Sequence, residues 1–189
     1  MRRPSVSGTL TPGLHPPHAE NLHGHSHQAS APAPAEGVAP PRVVAWEVTR
    51  SCNLSCAHCR ASAVHGPYEG ELSTEECFTL VDQIASFARP ILILTGGDPL
   101  MRADIFDIAE HAIGRGLRTV MSPNGTLVTP EVARRMHDVG IARVSISLDF
   151  PSPAEHDEFP GVPGAFAGAV PGVRTCPAAG VEVPTHHHI

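Results

Sequence analysis

At 189 residues, 41% of them hydrophobic, the chain is long enough for one domain with its own core. A formal charge of −6 argues against a nucleic-acid partner, and no run of roughly 18 apolar residues is present to span a membrane. Met1-Arg2-Arg3 is followed by no apolar stretch, and five cysteines are too few for a disulfide scaffold, so a reducing, cytoplasmic location is expected.

Residues 1–41 hold eight of the 20 prolines and five of the 13 histidines, with almost no aliphatic periodicity, and predict a disordered leader. Its "HPPHAENLHGHSH" stretch offers imidazoles to a transition-metal ion only weakly; a solvated tail is the plainer reading. From residue 42 the pattern becomes regular. "VVAWEV" (43–48) is β-branched and reads as a strand. "STEECFTLVDQIASFA" (73–88) reads as a helix, with Ser73 and Glu76 as a capping box and Leu80, Val81, Ile84 and Phe87 at helical spacing. "ILILT" (91–95) predicts a strand buried on both faces. A helix (103–116), a strand (117–122), a helix (129–140) with Thr129 as N-cap and Pro130 at its first turn, and a strand (142–149) follow. Residues 164–180 take the place of a fourth helix, and "VEVPT" (181–185) looks like the start of a fifth strand.

Strand and helix thus alternate four times, which predicts an α/β fold with a parallel sheet and right-handed crossovers. In such sheets chemistry gathers at the carboxyl ends of the strands. The unusual residues stand there. A cysteine loop follows the first strand, "GGDP" (96–99) the second and "PNG" (123–125) the third, while Ser147 and Asp149 close the fourth.

The loop "SCNLSCAHCR" (51–60) spaces Cys52, Cys56 and Cys59 as C-x3-C-x2-C. A cubane iron–sulfur cluster is usually held by four thiolates. Three thiolates leave one iron open, as a catalytic metal site requires. Zinc stays open as a rival, with His58 or His65 as fourth ligand, although structural zinc sites usually show two separated ligand pairs. A thiol-redox C-x2-C would leave Cys52 idle. Cys77 and Cys176 read as buried apolar residues.

These features in this order resemble the radical S-adenosylmethionine (SAM) enzymes. C-x3-C-x2-C, Gly-Gly-acid-Pro, "NG" and "SISLD" carry the resemblance, over residues 42 to about 180. It implies a TIM-like partial (βα) barrel as a core domain over 42–189. It implies a [4Fe–4S] cluster on Cys52, Cys56 and Cys59, with SAM on the open iron through its amino and carboxylate groups. Reduced ferredoxin or flavodoxin would supply one electron, and a 5′-deoxyadenosyl radical would take a hydrogen atom from substrate. Gly96, Gly97, Asp98 and Pro99 would form the SAM-binding turn, with Asp98 where the family more often has Glu. Asn124, Ser147 and Asp149 would bond the ribose or carboxylate of SAM. Arg50 and Arg60 flank the loop and either pair with carboxylates or are solvated. The stretches "AWEVTRSCNLSCAHCRASA", "ELSTEECF", "ILILTGGDPLMR" and "MSPNGTLVT" look very similar to the heme b synthase branch, which decarboxylates iron-coproporphyrin III and belongs with the SPASM-type group. Peptide-modifying maturases share that group, so the substrate is a porphyrin or, alternatively, a peptide.

The resemblance fades toward Ile189. The family core has a sixth strand, and residues 150–189 carry seven prolines, with Pro171 inside the expected helix at a cost of about 3 kcal/mol. Phe150 stands where the family pattern has Gly, and "PTHHHI" lacks a strand-like continuation. The expectation is a barrel truncated after about strand five, from a truncated or frameshifted reading frame, with a cluster-binding but non-catalytic fragment as the rival to an enzyme.

Overall fold

The computed structural model describes residues 38–57, 59–66, 69–148, 150–158 and 160–186. Most of the expected leader, together with His58 and Asp149, lies outside the described residues. The elements run β1 (Val43–Thr49), α1 (Thr74–Phe87), β2 (Ile91–Gly96), α2 (Ile105–Gly114), β3 (Arg118–Met121), α3 (Pro130–Val139), β4 (Arg143–Val144), β5 (Ile146–Ser147), α4 (Pro153–Glu158), α5 (Ala165–Ala178) and β6 (Thr185–His186). A single 3-10 turn, Pro99–Met101, follows β2.

Local chemistry sets the helix ends. The Ser73 hydroxyl accepts from Glu76 N–H and the Glu76 carboxylate accepts from Ser73 N–H, the expected capping box. Thr129 caps α3 by accepting from Val132 N–H, and Gly140 ends it in the left-handed region. Each helix then turns one apolar stripe to the sheet, where Val81, Ile84, Phe106, Ala109, Ala133 and Met136 meet Val48, Leu92, Leu94, Met121 and Val144 in a single core. Phe87 does not join that stripe: at the last position of α1 it is 42% exposed.

β1 to β4 form one parallel sheet in the order β1-β2-β3-β4. Only one face of it is fully covered. On the other, Val43 and Ala45 of β1 are exposed, Ile91 of β2 is 37% exposed and Ile93 is half-buried. The expectation that β2 is buried on both faces therefore fails. Its alternate residues Leu92 and Leu94 take the helix side, and Ile91 and Ile93 take the other, more exposed side.

The strand expected over 142–149 is divided. β4 pairs with β3, while β5 pairs with β6. The fifth strand nonetheless keeps one register: Arg143 lies opposite Glu182, Ile146 opposite Thr185 and Ser147 opposite His186. Val144 N–H donates to Glu182 O at 2.8 Å. The next rung would come from the N–H of residue 184, a proline, and it is missing. So "PTHHHI" does continue as a strand, through Thr185 and His186, with a gap at Pro184.

α5 forms with Pro171 and Pro177 inside it. Both prolines are exposed, while Ala165, Ala169, Gly172 and Cys176 make the buried face. The carbonyls left without a donor thus lie on or near the solvent side, and small residues let the helix pack closely. The short α4 has no counterpart in the sequence expectations.

Candidate functional site

The cysteine loop leaves β1 at its carboxyl end and is closed into a lobe by its own backbone. Cys52 N–H donates to Val64 O at 2.9 Å, and Val64 N–H donates to Arg50 O at 3.0 Å. The Arg50 guanidinium donates to Ala61 O at 3.2 Å and Ser62 O at 2.9 Å, so this arginine holds the loop's own carbonyls. Arg60 is exposed. Within the lobe, Cys59 N–H donates to Cys56 O and Ser62 N–H to Cys59 O, two successive tight turns.

None of Cys52, Cys56 and Cys59 is in a disulfide. Cys52 is buried and Cys56 and Cys59 are half-buried. The Cys52 sulfur accepts from Leu54 N–H at 3.3 Å and from the Asn124 side-chain amide at 3.8 Å, and the Cys59 sulfur accepts from Ala63 N–H at 3.3 Å. Burial pushes the Cys52 thiol above its usual value, a push that the Leu54 and Asn124 bonds oppose and the nearby Asp98 carboxylate reinforces. Among the described residues no three His, Cys, Asp or Glu side chains stand close enough to hold one metal ion. A cubane takes one thiolate per iron. Three thiols on one loop, with N–H donors already aimed at two of them, fit a cluster as the donor set.

The "GGDP" turn stands against this loop. Gly97 N–H donates to Thr49 O and Asp98 N–H to Ser51 O, both at 2.8 Å. Gly96 has φ +134°, and a Cβ there would lie 2.1 Å from Thr49 O; one on Gly97 would lie 2.3 Å from Ser51 O. What demands glycine at both positions is the approach of this turn to the root of the cysteine loop. Asp98 is 0% exposed. One of its carboxylate oxygens accepts from Leu100 N–H and the other from Asn124 N–H, each at 2.8 Å. Burial pushes the Asp98 carboxyl up to about 6, against the pull of those two bonds. Pro99 is buried as the first residue of the 3-10 turn.

Asn124 is the hub between the third strand's loop and the first's. Its amide NH2 donates to Asn53 Oδ1 at 2.8 Å as well as to Cys52, and its Oδ1 accepts from Thr126 N–H and the Thr126 hydroxyl at 2.9 and 2.7 Å. Asn53 Nδ2 in turn donates to Thr126 Oγ1 at 2.8 Å. Sequence reasoning passed over Asn53 and Thr126; their only signal was position, one inside the cysteine motif and one just after "NG". Below the loop a second network joins elements that are distant in sequence. The buried Arg102 donates to Val48 O, Leu72 O and both oxygens of Asp104, and the Thr49 hydroxyl donates to Glu71. Ser147 is exposed on β5. The structure thus brings Cys52, Gly96, Gly97, Asp98 and Asn124 into one bonded cluster at the carboxyl edge of the sheet.

A parallel βα sheet with a cysteine loop and two Gly-bearing turns at its carboxyl edge defines an α/β fold of the partial-barrel class. The Radical SAM superfamily profile matches residues 46–189, and the chain belongs to that family. The family binds a [4Fe–4S] cluster and SAM. Among curated relatives, the AdoMet-dependent heme synthase of Oleidesulfovibrio alaskensis is 49% identical over 89% of this chain and 44% of its own length. The Fe-coproporphyrin III synthase of Methanosarcina barkeri is 43% identical over 75% of this chain and 35% of its own. The chain therefore spans less than half the length of these relatives. Among solved structures, Streptococcus suis SuiB bound to S-adenosylmethionine aligns with a TM-score of 0.66 over 77% of this chain and 33% of its own, at 14% identity, a likeness of fold. Among the described residues no helix is long and apolar enough to cross a membrane.

Proposed function

We propose that Cys52, Cys56 and Cys59 hold a [4Fe–4S] cluster and that the "GGDP" turn, Ser147 and Asp149 receive SAM beside it. The observation that carries this is the bonded junction of the cysteine loop with the "GGDP" turn at the carboxyl ends of β1 and β2. Bound together and given one electron by an external reductant, cluster and SAM would supply hydrogen-abstraction chemistry, with methionine released. The chain's own residues provide placement. Arg50 keeps the loop folded over its own carbonyls, Asp98 locks the second turn to the third, and the open side of the sheet leaves room for a substrate.

The substrate we propose is an iron porphyrin whose propionate is decarboxylated in heme biosynthesis. The support is the 49% identity to an AdoMet-dependent heme synthase, together with the related Fe-coproporphyrin III synthase. A reduced ferredoxin or flavodoxin is the proposed electron donor, in the cytoplasm. The proposed domain division is a leader over 1–41 and the core over 42–189.

Anaerobic reconstitution with iron and sulfide, then dithionite, SAM and iron-coproporphyrin III, tests the reading. The expected products are 5′-deoxyadenosine, which carries the abstracted hydrogen atom, and a porphyrin in which a propionate has become a vinyl group, lighter by CO2 and two hydrogens. The remaining proton goes to solvent and the remaining electron to a one-electron acceptor. No 5′-deoxyadenosine from a cluster-loaded chain overturns the catalytic reading and leaves a cluster-binding fragment. 5′-Deoxyadenosine without decarboxylation overturns the substrate.

A further inference from the structure

We infer that Asn124 sets the reduction potential of the bound cluster through its hydrogen bond to Cys52, with Asn53 and Thr126 holding its amide in place; this rests on the cluster reading above. The starting point is that every polar atom of the Asn124 side chain is engaged within the protein. Its NH2 donates to Cys52 Sγ and Asn53 Oδ1, and its Oδ1 accepts twice from Thr126. Those partners also fix which end of the amide faces the sulfur. The two Thr126 donors require an oxygen, so the NH2 end points at Cys52. The backbone N–H of Asn124 is anchored separately on Asp98, so the side chain can be changed without releasing the turn.

A donor aimed at a thiolate acts on the cluster's charge. Reduction adds one negative charge, which spreads onto the ligand sulfurs, and an N–H bond stabilises the charged state more than the neutral one. Cys52 is also the most enclosed of the three thiols, at 5% exposure, so little water competes for that role. The Asp98 carboxyl, near enough to push the Cys52 thiol up, is itself tied to the Asn124 backbone. A contact to SAM is the role the resemblance assigns to Asn124, while both amide hydrogens are here engaged by Cys52 and Asn53.

The test is an EPR-monitored redox titration of the reconstituted chain without SAM, in wild type, Asn124→Ala and Thr126→Val. Asn124→Ala should lower the reduced-to-oxidised ratio about threefold at the wild-type midpoint, about 30 mV at 59 mV per tenfold for one electron. Thr126→Val, which loosens the amide but keeps its NH2, should shift the midpoint in the same direction by less. A SAM-free midpoint unchanged in Asn124→Ala, with a weaker response to added SAM, overturns the inference and returns Asn124 to the SAM site. If Asn124→Ala fails to fold, an unchanged midpoint in Thr126→Val overturns it. A wild-type chain with no [4Fe–4S] signal overturns the cluster reading itself, and the inference with it.

Discussion

Asp98 and Asn124 are joined by a 2.8 Å bond from the Asn124 backbone N–H to a carboxylate that is wholly enclosed. The other oxygen holds Leu100 N–H, so one side chain ties the turn after β2 to the turn after β3. Asp98→Ala leaves both donors without a partner and should cost about 2–4 kcal/mol of unfolding free energy in urea denaturation of the apoprotein. Asp98→Glu adds a methylene where there is no space and should cost about 1–3 kcal/mol.

The same burial makes the site pH-dependent. Asp98 moves from an ordinary 3.8 to about 6 in the folded chain. The folded state therefore holds this proton more tightly than the unfolded state. Its contribution is complete below about pH 4 and is lost as pH rises through about 6, about 3 kcal/mol in all. Asp98→Asn does not titrate. The stability of wild type relative to Asp98→Asn should fall by nearly that amount between about pH 3 and pH 7, and a constant difference would refute the assignment.

Gly97→Ala places a methyl group 2.3 Å from Ser51 O and 2.7 Å from Arg50 O, both backbone atoms. The turn must shift away from the cysteine loop, at about 1–3 kcal/mol. Iron and sulfide bound per reconstituted chain should fall with it, while Gly114→Ala, with open space around it, should bind iron as wild type does.

Arg102 spans Asp104, Val48 O and Leu72 O from a buried position. Removing its fork strands two carbonyls and a carboxylate that burial pushes up but that Arg102 and Thr74 together hold below its usual value. Arg102→Ala should cost about 3–5 kcal/mol, read as a shift in the urea midpoint. Arg102→Lys should recover only part of it, because a point charge cannot replace the fork.

Cys77 and Cys176 are 0% exposed, and burial pushes the Cys176 thiol up to about 11. In the folded apoprotein a thiol reagent should label Cys56 and Cys59 quickly and leave Cys77 and Cys176 untouched until denaturant is added. Alanine at Cys77 or Cys176 should leave iron content unchanged. Rapid labelling of either in the native chain would place it outside the core.

Much of this protein is determined within short stretches of sequence. The capping box at Ser73 and Glu76, the Thr129-Pro130 start and Gly140 stop of α3, and the order of the βα units need only neighbours a few residues away. So does the cysteine spacing, since three thiols within eight residues share one loop however the chain folds. What only the tertiary structure decided depends on residues far apart in the chain. Asn53 and Thr126 are unremarkable in sequence, and they meet Asn124 because adjacent parallel strands bring their loops together at one edge. The glycines of "GGDP" are required by the backbone at Thr49 and Ser51, and the break between β4 and β5 by the proline opposite it, at residue 184. α5 tolerates Pro171 because that side of the helix faces solvent. Local propensity carries no information on which side will be buried, or on which two loops will share a hydrogen bond; packing settles both.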